Sequence, residues 1–600
     1  MINKIEKKLA ISENNFSKYP EKNLYLNYLF YLNFANLKDQ FNEEENIVNH
    51  YSNTAEEIVF HEENCENIFK SILSEVTEEF NRFHKQNFNK KSISLILGHW
   101  LKRFIKICYD RYHLLEIAFN QYKLNKVEIL NVENFNFSTK ESGGIYYASI
   151  NEKWNYALVS KIIHFFSLGD YEIIKDNKNN EFLDFEFEKF QKTEKKNLKI
   201  IFTKKILNSL NFLRSQKDSI VYLSYFPFLK EKSLEFTLGQ LPSYWNFDYK
   251  INSNFDLNER SKIRFDIKKD GKNIENFIKS ILPNALPVSF IEGFKNLLDL
   301  EKKFPSNPKL IFSCNAFDMN DLFKVYAASK QMHGTQIISG QHGSGSFLLP
   351  DSNFIPELNF SDYYLTWGKN DNKKYLPLFN FKTLSKTKIT GGKNFIIYTR
   401  SLGYSLTLFD RQKENLKTIE TINKVSKNLS QEILSKTKIK LHNFSHKKLH
   451  KNLNQIYKEI QFNKILGKNL IQTSKDAKIS LFLYNSTGIL ECLVLNIPFL
   501  CFWPDTKKQI NPVLLKKFEI LKKAKIYFDK EDELINHINN IWDRVDNWWN
   551  DSFTQQKIEL FNKDLNLKPK NDSFTKLSSF LTNIKNFDVK TKTDDIYPLW

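Results

Sequence analysis

The chain has 600 residues, of which 41% are hydrophobic and 26% charged. This is ordinary globular usage, and it excludes a collagen-like, coiled-coil or mainly disordered chain. At about 150 residues per domain, the length predicts more than one hydrophobic core. No apolar run reaches the about 18 residues of a spanning helix, and the charged start Met1–Lys8 is followed by no apolar segment. These features predict a cytoplasmic protein.

The formal net charge is +19, from 88 basic and 69 acidic residues. Such an excess attracts phosphates, nucleic acids or anionic membrane surfaces. The lysines are nevertheless scattered along the whole chain, and no RNP, KH or zinc-finger pattern is present. We therefore expect no nucleic-acid partner. Peripheral contact with the inner face of the plasma membrane stays open as an alternative.

The cysteines are odd in number and widely spaced, with no CxxC pair or Cys/His cluster. This pattern predicts small buried thiols and argues against a disulfide framework or a structural zinc. The five are Cys65, Cys108, Cys314, Cys492 and Cys501.

Residues 1–135 are predicted to be mainly helical. Apolar residues recur at helical spacing between positions 97 and 108, with Lys102, Arg103 and Lys106 between them. Further on, Ser149 and Glu152 have capping-box spacing and predict a helix start.

Residues 136–385 are predicted to form an α/β lobe. An alternation of strand, helix and strand argues for a parallel sheet. The predicted elements are strands Lys199–Phe202, Ser219–Leu223 and Lys309–Cys314, helix Asp318–Met332 and strand Thr335–Gly340.

Residues 386–545 repeat this alternation and predict a second α/β lobe, followed by a helix and tail in 546–600. The predicted strands are Asn394–Thr399, Lys438–Asn443, Ile479–Tyr484 and Phe499–Trp503, and the predicted helices lie near Gln412–Leu429, Leu466–Ser474 and Gly488–Leu495. The fold class is therefore α/β, with two Rossmann-like lobes and an N-terminal helical region. In such sheets the ligand binds beyond the carboxyl ends of the strands.

The first candidate site follows the strand that ends at Gly340, where Gln341, His342 and Gly343 stand in a glycine-rich turn. A histidine there can exchange a proton near neutral pH, although a plain turn is the alternative. Asn315, after the preceding strand, is a candidate contact of the same cleft.

His333 lies just before the same strand and is followed by Gly334. The simpler interpretation is a helix C-terminus, where glycine and a cation are both favourable. A contact with the cleft remains the alternative role of His333.

The second candidate site is the predicted helix start at Ser486, Thr487 and Gly488. Hydroxyls and free N–H groups at such a start bind anions, and a simple N-cap is the alternative. Glu491, one turn further, is a candidate for holding a ribose, and Arg400 is a second candidate phosphate contact.

Metal binding has little support in the sequence. His442, His446 and His450 would share a helical face, but no nearby carboxylate completes a set. No Walker A, GxGxxG or HExxH motif occurs, and no DxD-type pair follows a strand. We expect no metal.

Several motifs resemble, in order, a family of surface-carbohydrate transferases associated with lipopolysaccharide O-antigen synthesis. The matching segments are Gly98–Leu101, Tyr109–Tyr112, Pro305–Lys324, Gly334–Thr335, Gln341–Gly343, Tyr363–Gly368, Tyr484–Glu491, Leu495–Pro498, Phe502–Trp503, Ile541–Asp543 and Trp548–Trp549. Two departures, Ser344 after His-Gly and Lys369 after Trp-Gly, concern acceptor preference more than fold.

The resemblance implies a GT-B-like transferase whose C-terminal lobe binds the nucleotide of the donor. The leading hypothesis is metal-independent glycosyl transfer from a nucleotide-activated sugar, for example a CMP-nonulosonate, to a surface polysaccharide or lipid-linked glycan. His342 would be the general base, Ser486 and Thr487 would stabilise the leaving phosphate, and no cofactor is needed beyond the sugar nucleotide. A CDP-alcohol-dependent phosphotransferase of surface polymers is the alternative, and a basic nucleic-acid-binding protein is a third.

Overall fold

The computed structural model describes residues 6–12, 17, 19–34, 43–174, 207, 213–267, 271–343, 348–368, 375–384, 392–400, 406–440, 463–465, 470–503 and 510–584. Several features of the sequence analysis lie outside these residues, namely strand Lys199–Phe202, the turn residues Ser344–Ser346 and the histidines His442, His446 and His450.

The N-terminal part is mainly helical, with two short strand pairs. Its elements are β1 (Lys8–Leu9), β2 (Asn23–Leu24), α1 (Tyr28–Phe34), α2 (Glu43–Asn46), α3 (Ala55–His84), α4 (Lys90–Gln121), β3 (Val127–Leu130), α5 (Ile145–Ala148), α6 (Glu152–Phe166) and β4 (Tyr171–Ile174). β1 pairs with β2 and β3 with β4, both in parallel. A capping box of Thr54 and Glu57 starts α3, which packs along α4.

The predicted capping box at Ser149 is wrong in position. Helix α6 begins at Glu152, and its N-cap is Asn151, whose Oδ1 accepts a hydrogen bond from the Trp154 N–H at 2.9 Å. Ser149 instead ends the preceding short helix. Asparagine caps as well as serine, so the spacing to Glu152 could not decide between them.

The first lobe contains a five-stranded parallel sheet. Its elements are β5 (Ile220–Val221), α7 (Phe228–Thr237), α8 (Leu257–Arg260), α9 (Ile274–Ala285), α10 (Phe294–Glu301), β6 (Leu310–Ser313), α11 (Ala316–Met319), α12 (Asp321–Met332), β7 (Gln336–Gly340), α13 (Glu357–Phe360), β8 (Tyr363–Thr366) and β9 (Tyr375–Pro377). The strands lie in chain order, β5-β6-β7-β8-β9. α4 packs against α12, so the N-terminal helices belong to this lobe.

The predicted helix Asp318–Met332 is split at Asn320. The Asn320 side chain accepts a hydrogen bond from the Phe323 N–H at 2.9 Å and so caps α12, while its backbone is extended. This places α11 as a separate short turn directly after β6.

The second lobe contains a six-stranded parallel sheet. Its elements are β10 (Asn394–Tyr398), α14 (Arg411–Asn428), α15 (Gln431–Ser435), β11 (Thr437–Lys440), β12 (Asn463–Ile465), α16 (Leu470–Ser474), β13 (Ala477–Phe482), α17 (Thr487–Leu495), β14 (Phe499–Phe502), α18 (Pro512–Lys523), β15 (Tyr527–Phe528) and α19 (Glu531–Ile541). The strand order is β12-β11-β10-β13-β14-β15. In sequence terms this is 3-2-1-4-5-6, the order of a nucleotide-binding Rossmann sheet. The prediction of two Rossmann-like lobes is confirmed.

The C-terminal segment packs back onto both lobes. It contains α20 (Val545–Asn550), α21 (Ser552–Leu565) and α22 (Ser573–Asn583). Apolar residues of α21 and α22 share one core cluster with residues of both sheets. α22 contacts α7 of the first lobe. Short 3-10 helices span Pro20–Lys22, Ser142–Gly144, Val288–Phe290, Pro350–Phe354, Phe381–Thr383 and Trp542–Arg544.

Candidate active site

The carboxyl ends of the two sheets meet at one cleft. The turn after β7 carries His342 and Gly343, and α17 begins after β13. A Cβ added at Gly343 would lie 2.9 Å from the Thr487 Oγ1, so the two lobes touch at these two positions. The two candidate sites of the sequence analysis therefore face each other across this contact.

His342 lies in this cleft with an exposed side chain. Its Nδ1 is 2.9 Å from the hydroxyl of Tyr225, which follows β5. The surrounding protein atoms lower the pKa of His342, the Asp318 carboxylate opposes this shift, and the Lys382 ammonium adds to it. The neutral imidazole is therefore the favoured form near neutral pH.

Gln341 does not contact the cleft, contrary to the sequence-based expectation. Its side chain is buried, its Nε2 donates to the Gly343 carbonyl at 2.9 Å, and its Oε1 accepts from the Trp367 N–H at 2.7 Å. Gln341 thus lies beneath the turn and ties it to the end of β8, because a buried amide must satisfy its polar atoms internally.

His333 also lies away from the cleft, and the expectation of a cleft contact is wrong for this residue. It precedes β7, whose length separates the two ends of the strand by about 16 Å. His333 is exposed and ends α12, and Gly334 has a φ of +86°. This is the helix C-terminus that glycine favours, as the simpler interpretation held.

Asn315 does lie at the cleft. It lines a cavity of about 240 Å³ that contains His342. The cavity is closed by α4 on one side and by Leu406 of the second lobe on another. Its polar wall contains His99, Lys102, Arg103, Lys106, Asp318 and Glu357.

Ion pairs fix the polar wall of this cavity. The Arg103 Nη1 lies 2.5 Å from the Asp318 Oδ1, and the His99 Nε2 lies 3.2 Å from the Glu357 Oε1. Although burial opposes it, the Arg103 guanidinium with the nearby His99 holds the pKa of Asp318 well below its usual range. Asp318 is therefore a fixed negative charge beside His342.

Several residues at the cleft carry no local sequence signal of their position. Lys102 and Arg103 stand in the sequence only as cations between apolar positions of α4, and Tyr225 and Lys382 belong to no recognised motif. One signal was present, because the Gly98–Leu101 motif of the resemblance lies on this part of α4. The position of the α4 side chains at the cleft depends on the packing of α4 against α12, which no local sequence pattern encodes.

In the second lobe, Arg400 and Ser486 lie at the point where the strand order reverses, between β10 and β13. The Arg400 Nη2 donates to the Asn485 Oδ1 at 3.1 Å, and Arg400 is 7% exposed. The Ser486 Oγ caps α17 by accepting from the Gly488 N–H at 3.1 Å. Ligands of doubly wound sheets bind at this reversal point.

Gly488 has a packing role that the sequence does not reveal. A Cβ at this position would lie 2.8 Å from the Phe482 Cε1 and 3.0 Å from its Cζ. The glycine therefore lets α17 lie close to the end of β13.

Glu491 faces the cleft from α17. Its Oε1 lies 3.9 Å from the Lys382 Nζ, and burial raises the pKa of Glu491, with Lys382 opposing. The Lys382 Nζ in turn lies 4.3 Å from the ring centroid of Tyr225 and 5.1 Å from that of Trp367. Lys382 thus joins the His342 side of the cleft to the Glu491 side.

A sequence model of the LIC12162 family transferases matches residues 11–581. The chain belongs to the LIC12162 family of transferases. Among curated proteins, none matches the chain significantly.

Solved structures overlap with this LIC12162 family transferase only loosely. A UDP-N-acetylglucosamine 2-epimerase from Listeria monocytogenes is 11% identical, with 50% of this chain and 79% of the other covered and a TM-score of 0.30. MnaA from S. aureus, solved with UDP, is 13% identical, covering 49% and 78%, with a TM-score of 0.31. WaaG, a glycosyltransferase involved in lipopolysaccharide biosynthesis, is 10% identical, covering 53% and 85%, with a TM-score of 0.24.

Three further findings concern the described part of this LIC12162 family transferase. No group of three or more His, Cys, Asp or Glu side chains there is arranged to hold a metal ion. None of its helices combines the length and hydropathy that a bilayer crossing requires. The five cysteines are free and buried, as predicted.

A larger cavity, of about 770 Å³, lies between β9, α17 and α21 and contains none of the candidate site residues. The smaller cavity, by contrast, is lined by two candidate residues of the first lobe, Asn315 and His342.

Proposed function

We propose that the protein transfers a sugar from a nucleotide-activated donor to a hydroxyl acceptor in the cleft between the lobes, without a metal ion. The observation that carries this proposal is the contact of Gly343 with Thr487. It places the His342 turn against the strand-order reversal of a Rossmann sheet, where nucleotides bind.

The second lobe is proposed as the donor side. The start of α17 attracts negative charge through its helix dipole, and Thr487 and Arg400 lie beside it. Glu491 has no hydrogen-bond partner among the described residues and is suited to a ribose hydroxyl. The Lys382 ammonium, which likewise makes no described hydrogen bond, would offset the charge of the leaving phosphate.

The first lobe is proposed as the acceptor side. His342 takes the proton of the acceptor hydroxyl, and Asp318 stabilises the imidazolium that forms. The cavity beside His342 offers alternating cations and carboxylates, which can bind the hydroxyls of a sugar. Asn315 supplies an amide in the same wall.

The acceptor is proposed to be a surface polysaccharide, an O-antigen unit or a lipid-linked glycan, and a CMP-activated nonulosonate is one candidate donor. Support comes from the ordered motifs of the sequence, which extend over both lobes. The same His-Gly turn opposite a serine-capped helix would also suit a CDP-alcohol-dependent phosphotransferase. Product mass separates a sugar residue from a polyol phosphate.

Peripheral contact with the inner face of the plasma membrane forms part of the proposal. On α7, Leu229 and Phe236 are 79% and 71% exposed, and their spacing of seven residues places them on one helical face, with the exposed Lys230 at its edge. Glu231 and Glu235 of the same helix pair instead with Lys232. An apolar face beside a cation fits an anionic bilayer.

Membrane contact is tested by co-sedimentation with phosphatidylglycerol vesicles. The double variant L229S/F236S should sediment less than the wild type, while phosphatidylcholine vesicles should retain neither. Equal sedimentation of wild type and variant with anionic vesicles would contradict this surface.

Transfer is tested by incubating the full chain with CMP-, CDP-, UDP- and GDP-linked donors and a lipid-linked glycan, with and without EDTA. Mass spectrometry should show one added sugar, unaffected by EDTA, and H342Q serves as the matched control. Product formed equally by H342Q, or only with a divalent metal, would overturn the proposed mechanism.

A further inference from the structure

We propose that Tyr225 is a positioning residue for His342. The Tyr225 hydroxyl accepts a hydrogen bond from the His342 Nδ1–H, so that the Nε2 lone pair faces the acceptor. This inference rests on the proposed function, because it assigns His342 the task of taking a proton. It concerns the segment after β5, for which the sequence offered no motif.

The geometry leaves one ring nitrogen available. The Tyr225 hydroxyl is 2.9 Å from the Nδ1 of His342, and the two ring centroids are 5.6 Å apart at 55°. Within the described residues, no hydrogen-bond partner is found at the Nε2 of His342. This contact fixes the orientation of the ring. Since a tyrosine hydroxyl can donate as well as accept, the direction that we propose, from Nδ1–H to Tyr225, is what sets the tautomer.

The backbone supports a functional role for Tyr225. Its φ is +61°, and that of Leu223 is +49°, a left-handed conformation that is unfavourable for residues with a Cβ. Strained residues of this kind concentrate at functional sites and persist where their surroundings hold them.

The surroundings of this segment do hold it. The Cys314 N–H donates to the Leu223 carbonyl at 3.2 Å, and the Cys314 Sγ donates to the Ser224 carbonyl at 3.1 Å. The Ser224 hydroxyl donates to the Glu231 carboxylate at 2.5 Å. The ends of β5 and β6 and the start of α7 thus fix the direction of the Tyr225 ring.

Electrostatics keep the tyrosine in the form that the role requires. Burial raises the pKa of Tyr225, with Cys314 and Asp318 acting in the same direction, so its hydroxyl stays neutral. The groups that face His342 are Asp318, Lys382, Glu357 and His99.

In the proposed step, the acceptor oxygen forms a bond to the anomeric carbon, and its proton moves to the Nε2 of His342. The bond from that carbon to the donor phosphate oxygen breaks, and its electron pair leaves on the phosphate. The imidazolium then donates its Nδ1–H to Tyr225 as a charge-assisted hydrogen bond, which is stronger than the neutral one. Tyr225 therefore helps more in the transition state than in the ground state.

The experiment compares the full-length wild type with Y225F and with Y222F as the matched control. Tyr222 lies three residues earlier, and its ring packs against Phe247 and Phe323. Nitrogen-15 NMR of labelled histidine should show the Nδ1–H tautomer of His342 in the wild type and in Y222F, and a shift towards Nε2–H in Y225F.

Kinetics supply the second measurement. Y225F should lower kcat roughly 10- to 100-fold, because the base is then misplaced. The donor KM should change little, because the proposed donor site is unaltered. Y222F should leave both values unchanged. Thermal unfolding establishes that each variant is folded, and the wild-type tautomer is informative even if Y225F does not fold.

Two results would overturn the inference. One is a wild-type His342 protonated on Nε2, and the other is a Y225F protein with unchanged tautomer and kcat. A third result separates the inference from the proposed function. If the wild type transfers no sugar but the tautomer of His342 differs between the wild type and Y225F, the proposed glycosyl transfer is wrong, and the positioning of His342 by Tyr225 is supported.

Discussion

His342 carries the acceptor side of the proposed chemistry, and its neighbours come from five separate segments of the chain. As a general base it should tolerate no replacement that cannot accept a proton. We expect H342Q to reduce turnover by about 10²–10⁴-fold. Donor affinity, measured by calorimetry with the nucleotide, should change little because most of the proposed donor contacts lie in the other lobe.

The opposite pattern would contradict that assignment. If H342Q keeps its turnover but loses nucleotide affinity, His342 binds phosphate as a cation. Unchanged turnover and affinity together would exclude both roles.

The pH dependence follows from the direction in which the pKa of His342 is shifted. The pKa of His342 lies below the ordinary value of about 6.5. The neutral base is therefore still present at pH 6.5 and is lost only when the pH falls through this lowered pKa. The acid limb of kcat/KM should therefore lie below pH 6.5. Because Lys382 lowers this pKa, K382M should move the limb to higher pH, and an unmoved limb would assign it to another group.

Ser486 and Thr487 differ in their structural commitments, although the sequence presents them as a pair. The Ser486 Oγ caps α17, so S486A should reduce the free energy of unfolding by about 1 kcal/mol. T487A should weaken nucleotide binding, since Thr487 lies at the lobe contact, whereas S486A should not. Chemical denaturation and calorimetry separate the two effects, and equal losses of affinity in both variants would contradict the division.

At the scale of elements, α12 is anchored by a buried ion pair. The Lys324 Nζ lies 2.9 Å from the Asp321 Oδ1, with side chains 1% and 0% exposed, and Asp321 also accepts hydrogen bonds from Ser142 and Ser289. Removing the lysine leaves a buried carboxylate without its cation. K324M should cost about 3–5 kcal/mol in the free energy of unfolding.

The matched control is Lys302, whose ammonium lies 2.7 Å from the Asp299 Oδ1 in a solvent-exposed pair with the same three-residue spacing. K302M should leave the denaturation midpoint unchanged, because exposed pairs contribute little. Similar effects of K324M and K302M would show that burial is not what makes the α12 pair important.

At the scale of the whole molecule, the two lobes share a core. One cluster of buried apolar residues contains Ile338 of the first sheet, Phe482 of the second and Phe561 of α21. The Asn380 N–H also donates to the Leu567 carbonyl at 3.0 Å across this junction. The second lobe is therefore not expected to fold alone, and ligand binding is best measured on the full chain.

The contact of Gly343 with Thr487 gives a test of the closed arrangement. In G343A the new Cβ would lie 2.9 Å from the Thr487 Oγ1, so either the Thr487 side chain or the lobe that carries it must shift. Turnover should fall about 10-fold or more, because misplacement by a fraction of an ångström affects the transfer geometry. Thermal stability should change little.

A double-mutant cycle distinguishes this clash from a local effect on the turn. Adding G343A to T487A should cost much less than adding it to the wild type, because the hydroxyl that it meets is then absent. Additive effects would show that the lobe contact is not required for turnover.

The alternation of apolar and polar segments predicted both lobes, the strands β6, β7, β10, β13 and β14, and the candidate sites at His342 and Ser486. The predicted strands agree with the observed ones because strand ends and helix starts depend on short-range patterns of hydrophobicity and turn residues. The roles of His342 and Ser486 stay predictions. Asn315 was predicted for the same reason, since it directly follows a buried strand. The departures at Ser149 and Asn320 are also local, where alternative capping residues compete within a few positions.

Only the tertiary structure decided which of these residues share one cleft. Gln341 is turned beneath the site, His333 lies at the opposite end of its strand, and α4, Tyr225 and Lys382 enter from distant parts of the chain. Each of these outcomes depends on how helices pack on the sheets and how the two lobes meet. The 3-2-1-4-5-6 order of the second sheet, on which the proposed nucleotide position rests, likewise depends on long-range strand pairing. The sequence thus determined the elements and their ends, and long-range packing determined the site.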